Sequence, residues 1–214
     1  MKYPLKAYLK TKSFEDYGFF LFLLGIFFLP STLFIGILFL LPSAIIGSFL
    51  NKEKYLKDTW NYSFLIFGLL ISLSALSQNF FLVNKYQEVW DPLLSIYGLG
   101  NWLPFIWLFW AFQPYIDSKS KRRTFALALI TGTFPVFITG FGQYFFNWHG
   151  PFKALNGLII WYQRPIINPA GLSGLFNNQN YAGAWLNLSW PFCIALLIEG
   201  KKNIYKTFII LGFV

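Results

Sequence analysis

The sequence predicts an all-α protein: a polytopic bundle of transmembrane helices with six complete spans, a truncated seventh and a cytoplasmic N-terminus. Three observations carry that expectation. The chain of 214 residues is 56% hydrophobic and only 12% charged, about half the charge of a soluble domain. Its apolar runs have helical length and alternate with short charged clusters. Of its 17 Lys and Arg residues, 14 fall in alternate segments between those runs.

Residues 1–16 read as a cytoplasmic tail. They are basic, but the apolar stretch that follows is too long for a signal peptide and has no small-residue cleavage site. Residues 17–50 form an uncharged stretch of 34 residues. A span needs about 20, so the stretch holds two short ones. Proline cannot continue a helical hydrogen-bond ladder, and Pro30-Ser31 is the natural break. The spans are then 17–29, 32–50, 61–77, 102–116, 124–144 and 181–198, with 205–214 as the incomplete seventh. Residues 17–214 make up the transmembrane domain.

The basic residues set the direction. Segments 1–16, 51–60, 117–123 and 199–206 hold four, three, four and three Lys/Arg, and only Lys85, Lys153 and Arg164 lie elsewhere. Cytoplasmic loops collect Lys and Arg, so these four segments lie inside. None of the eight carboxylates falls in the middle of a span. Ion-coupled transporters use intramembrane ionisable groups, so this distribution weighs against a pump. Cytoplasmic loops also account for the net charge of +9, and no basic helix or stacking surface points to nucleic acid. Cys193 is the single cysteine, so no intramolecular disulfide belongs to the design. No His, Cys or carboxylate cluster has metal-ligand spacing.

Two external loops remain. The loop 78–101, with Trp102 at its end, carries Trp90 and Tyr97 and suits the membrane interface, with 93–99 as a short surface helix. The loop 145–180 is richer. It contains Asn147-Trp148-His149-Gly150-Pro151, the apolar piece 155–162, Gln163-Arg164-Pro165 and a run from Gly171 to Asn177-Asn178-Gln179-Asn180. The piece 155–162 is too short to span and reads as a re-entrant or interfacial segment. Asn180 suits the N-cap of the sixth span. On that helix Asn180, Gly183, Ala184 and Asn187 share one face, where small residues allow close packing. Arg164 lies 16 residues upstream of Asn180, near enough to fold back over the helix start. Arginine's planar fork fits a phosphate, and a helix N-terminus favours an anion. Each feature also has a plainer reading. Arg164 could contact lipid headgroups, the Asn run could be a loop and cap, His149 an interfacial turn residue and Cys193 a packing residue.

The stretch Gly174-Leu175-Phe176-Asn177-Asn178-Gln179-Asn180-Tyr181-Ala182-Gly183 opens a helix after an arginine. It resembles the signature of the O-antigen ligase and polymerase superfamily. Residues 132–144 are similar to the preceding span of that family, and residues 124–200 carry most of the resemblance. It implies a larger fold of roughly ten to fourteen helices in the inner membrane. Members transfer or polymerise glycans from a polyprenyl-diphosphate carrier onto an acceptor glycan or lipid at the external face, without metal or other cofactor. Arg164 matches the first of the family's diphosphate-gripping arginines; Asn177, Asn178 and Asn180 would line the substrate, and His149 is a weak candidate base. A further arginine and a histidine of the family lie in a large loop beyond Val214, so the chain reads as a fragment. The competing classes are a membrane transporter component, such as an inorganic-carbon or solute permease, and a non-catalytic truncated membrane protein.

In a Cys193→Ala background, Lys153→Cys is expected to react with a membrane-impermeant maleimide on intact cells. Lys54→Cys should react only after permeabilisation, and the opposite pattern would invert the orientation.

Overall fold

A computed structural model describes residues 5–78, 91–166 and 171–199. The expected seventh span at 205–214 and the part of the first external loop with Lys85, Glu88 and Trp90 lie outside the described residues. The helices are α1 (Leu5–Phe28), α2 (Leu33–Asn51), α3 (Thr59–Ser77), α4 (Pro92–Leu99), α5 (Leu103–Ala111), α6 (Lys119–Phe146) and α7 (Gln179–Glu199). A two-stranded hairpin, β1 (Phe152–Ala154) and β2 (Ile159–Trp161), stands between α6 and α7.

Among the described residues, five stretches are long and apolar enough to cross a membrane: Leu33–Asn51, Thr59–Ser77, Leu93–Ala111, Lys119–Phe146 and Gln179–Glu199. They carry outward apolar stripes; on α2, Phe34, Leu38, Leu41, Ile45 and Phe49 are all exposed. Helix α1 is not among the five. It begins at Leu5, within the expected tail, because nothing from there to Phe28 breaks a helix. Its uncharged part, 17–28, gives about 18 Å of rise against a hydrocarbon core of about 30 Å. The fourth expected span, 102–116, also shifts. Helix α5 starts with Pro104 in its first turn and ends at Ala111. The chain then tightens into a turn around Pro114, which cannot extend a helix. The membrane-length stretch is completed upstream by α4, the expected surface helix, across a break at 100–102.

The chain divides into two compact units, Met1–Gly18 with Ala44–Tyr115, and Phe19–Ser43 with Ile116–Val214. In the first, α3 buries one seam of Asn61, Gly68 and Ala75, spaced seven apart. A Cβ on Gly68 would lie 3.2 Å from Ile106 of α5. Side-chain amides close the end of this unit. Asn51 Nδ2 donates to Gln113 Oε1 (2.9 Å), Gln113 Nε2 to Asn61 Oδ1 (3.2 Å) and Asn61 Nδ2 to the Tyr55 carbonyl (2.9 Å). Asp58 and Asp91 cap α3 and α4 by accepting from Trp60 and Leu93.

In the second unit the break expected at Pro30-Ser31 is present. Helix α1 stops at Phe28, whose carbonyl accepts from the Thr32 N–H at 2.7 Å, and α2 begins at Leu33. Helix α6 lies so close to α1 that a Cβ on Gly132 would strike the Phe27 carbonyl. Ala126 and Ile130 of α6 pack with Cys193 and Leu196 of α7. Trp185 Nε1 donates to Thr133 Oγ1 at 3.0 Å. The packed face of α7 is thus Ala182, Ser189, Cys193 and Leu196. The expected packing face of Asn180, Gly183, Ala184 and Asn187 is exposed instead, with nothing within 4 Å of a Cβ on Gly183. Both stripes carry small residues, so helical spacing alone did not choose between them.

Gly132→Ala should lower the thermal midpoint in detergent, at a cost of about 1–3 kcal/mol, because the facing group is backbone that cannot move aside. Gly140→Ala, in the same helix with nothing within 4 Å of its Cβ position, should leave the midpoint unchanged or slightly raised.

Candidate functional site

The site is built on the C-terminal end of α6. There Asn147 takes a left-handed conformation (φ 54°), which stops the helix. The returning Trp148 ring occupies the space a side chain on Gly142 would need. His149 is exposed, its Nδ1 2.9 Å from the Asn147 carbonyl oxygen.

The next segment is the antiparallel hairpin, with Phe152 opposite Trp161 and Ala154 opposite Ile159. The piece 155–162, expected as a re-entrant or interfacial segment, is thus the turn and second strand of a hairpin. Leu155, Asn156 and Gly157 turn with φ of 48°, 54° and 90°, and Ile159-Ile160-Trp161 suits a strand. Asn-Gly between apolar residues is a strong hairpin signal, so the sequence held the cue. Trp161 Nε1 donates to the Ser31 carbonyl at 2.6 Å, which ties the hairpin to the α1–α2 turn.

Two buried glutamines then fix the loop. Gln143, 1% exposed, stands on the last turns of α6. Its Nε2 donates to the Arg164 carbonyl (2.6 Å) and to Ser173 Oγ (3.3 Å). Its Oε1 accepts from the N–H groups of Ser173 (3.0 Å) and Gly174 (3.1 Å). Gln163, also 1% exposed, donates from Nε2 to the Thr139 carbonyl at 2.8 Å. Its Oε1 is buried and has no hydrogen-bond partner among the described residues. Gly174 has φ 55°, and a Cβ there would lie 2.9 Å from the Val136 carbonyl oxygen; only glycine meets both conditions without strain.

These tethers frame a cavity of about 290 Å³ lined by Gly150, Pro151, Tyr162, Gln163, Arg164, Pro165 and Asn177. Arg164 and Asn177, 13 residues apart in the chain, thus share one cavity. The Arg164 side chain is exposed and makes no hydrogen bond or ion pair among the described residues. Among the described residues no carboxylate lines the cavity, and the lining charge is the positive one of Arg164.

The other sequence-derived candidates stand apart from the cavity lining. Helix α7 begins at Gln179, and Asn178 rather than Asn180 is its N-cap: Asn178 Oδ1 accepts from the Asn180 N–H at 2.8 Å. The cap moved two residues because the chain is already helical at Asn180, whose exposed side chain lies within the first turn. Asn178 therefore spends its side-chain oxygen on the helix. His149 adjoins the lining residue Gly150 but is not part of the lining. Gln143, Gln163 and Ser173 received no role from sequence reasoning. The available signal was a glutamine inside an apolar run, since a buried polar side chain needs partners. No family model, no curated protein and no solved structure matches the chain.

Gln143→Leu would leave the Ser173 and Gly174 N–H groups and the Arg164 carbonyl without their partner, each at a cost of about 1–3 kcal/mol. Hydrogen exchange at the amides of Ser173 and Gly174 should accelerate more than at the α7 core around Cys193. Unchanged protection of those two amides would mean that something else holds the loop.

Proposed function

We propose that this chain handles a polyprenyl-diphosphate-linked glycan, as an O-antigen ligase- or polymerase-like glycosyltransferase of the inner membrane. The proposed topology has the N-terminus in the cytoplasm, six spans with α1 as the first, and the hairpin loop on the external face. The observation that carries the reading is the meeting in one cavity of an asparagine and an arginine whose side chain is unpaired among the described residues. A volume of about 290 Å³ lies near the lower end of ligand sites, roughly 300–1,000 Å³. It suits a diphosphate and its first sugar better than a whole glycan.

The residues divide the work by their chemistry. The Arg164 fork can donate two parallel hydrogen bonds to a diphosphate. Asn177 offers both a donor and an acceptor, and the Gln163 Oε1, without a partner among the described residues, favours a donor such as a sugar hydroxyl. In the transfer the acceptor hydroxyl gives its proton to a base, with His149 at the rim as the candidate in this chain. The acceptor oxygen bonds to the anomeric carbon. The bond from that carbon to the phosphate oxygen breaks, and its electron pair leaves on the diphosphate. Arg164 lowers the barrier by meeting the charge that develops there.

Arg164→Ala is expected to cut glycan extension by on the order of 100-fold, while Arg164→Lys keeps part of the rate through its remaining charge. Both variants should retain the parent's thermal midpoint, because the side chain is exposed. Undiminished polymer from Arg164→Ala would overturn the assignment.

A further inference from the structure

A second, larger cavity lies at the opposite end of the α6–α7 pair. It measures about 490 Å³ and combines two kinds of lining. Lys119, Arg122 and Arg123, from the first turns of α6, stand at one side. The apolar wall is formed by Phe125, Phe192 and Leu196, together with Ala195. The Phe125 and Phe192 rings meet edge to face at 5.4 Å, which fixes the wall.

The charges are unevenly used. Lys119 Nζ pairs with Glu199 Oε1 at 2.9 Å, although the lysine side chain is 80% exposed. Arg122 Nη1 donates to the carbonyls of Ile116 (3.0 Å) and Asp117 (3.2 Å), so its guanidinium is held in place. Arg123 makes no hydrogen bond or ion pair among the described residues and is exposed. Three cations against the one lining carboxylate leave a surplus of two positive charges.

We propose that this cleft is a binding site for an anionic phospholipid. The phosphate sits between Arg123 and Lys119, with Arg122 behind it, and an acyl chain lies along Phe125, Phe192 and Ala195. Charge complementarity selects the occupant. The cations ask for an anion, and the adjoining apolar wall asks for a ligand that is apolar immediately beside its charge. A basic pocket between membrane helices meets both demands with a lipid headgroup and its chain. A small anion leaves the wall uncovered, and an apolar ligand leaves the cations unmatched. The site is separate from the Arg164 cavity and does not rest on the glycosyltransferase reading.

The test is native mass spectrometry of the purified full chain in micelles doped with phosphatidylglycerol or phosphatidylcholine at equal mole fraction. Phosphatidylglycerol should be retained and phosphatidylcholine largely lost. Lys119→Gln/Arg123→Gln should lower the bound phosphatidylglycerol by roughly 10- to 30-fold, since each basic residue contributes comparably to anionic-lipid attraction. Ala195→Trp, which fills the apolar side without touching a charge, should lower it too. Lys54→Gln/Lys57→Gln, two basic residues elsewhere, should leave it unchanged. Equal retention of both lipids, or an equal loss in the Lys54/Lys57 pair, would overturn the site. So would displacement of phosphatidylglycerol by millimolar inorganic phosphate, which would indicate a free-anion site instead.

Discussion

The four hydrogen bonds of Gln143 are the constraint on which the loop side of the second unit depends. Buried backbone N–H and C=O groups outside a helix need hydrogen-bond partners elsewhere in the protein. Residues 163–166 and 171–174 lie outside helix geometry, and Gln143 supplies what a helix would. It accepts from two successive N–H groups and donates to a carbonyl and a hydroxyl. One amide carries both donor and acceptor, so it can serve two passes of chain at once. Arg164 is oriented as a consequence: its carbonyl accepts from Gln143 Nε2 at 2.6 Å, while its side chain makes no hydrogen bond or ion pair among the described residues.

The first unit solves the same problem with the same chemistry. Asn51, Gln113 and Asn61 form a line of amides ending on the Tyr55 carbonyl. They lie where α2 gives way to the 52–58 turn and where α5 ends before Pro114. In both units, buried amides cluster at helix ends, where four carbonyls or four N–H groups lack intrahelical partners. Away from the ends, contact is made by small residues instead, as at Gly68 and Gly132. Without a hydrophobic drive between helices in lipid, close approach through small residues is the main source of cohesion.

Charge is divided as sharply as polarity. Apart from α1, where Glu15 and Asp16 fall mid-helix, the middle of the helices carries none, and the ends of the second unit differ. The Lys119–Glu199 and Lys121–Asp117 pairs collect at the start of α6, while the far end of α6 faces a cavity whose lining charge among the described residues is Arg164. One helix pair therefore presents a crowded, partly neutralised cationic end and a sparse one where, among the described residues, Arg164 is the lining cation.

The sequence by itself determined the helical, membrane-length character of the chain. That information is local: apolar runs and their punctuation by Pro30-Ser31 act within one segment, so the break between α1 and α2 was legible. It also named Arg164 and Asn177 as chemically suited residues, because side-chain chemistry is a property of the residue. The tertiary structure decided the rest. Which stripe of α7 packs depended on where α6 offers Thr133, Ala126 and Ile130, a fact no spacing within α7 contains. The meeting of Arg164 and Asn177 depended on a hairpin anchored by Trp161 to Ser31, 130 residues away in the chain, and on one glutamine holding two loop passes to a helix end. Those are long-range hydrogen bonds between ordinary polar groups, and a sequence does not mark which of its amides will be buried together.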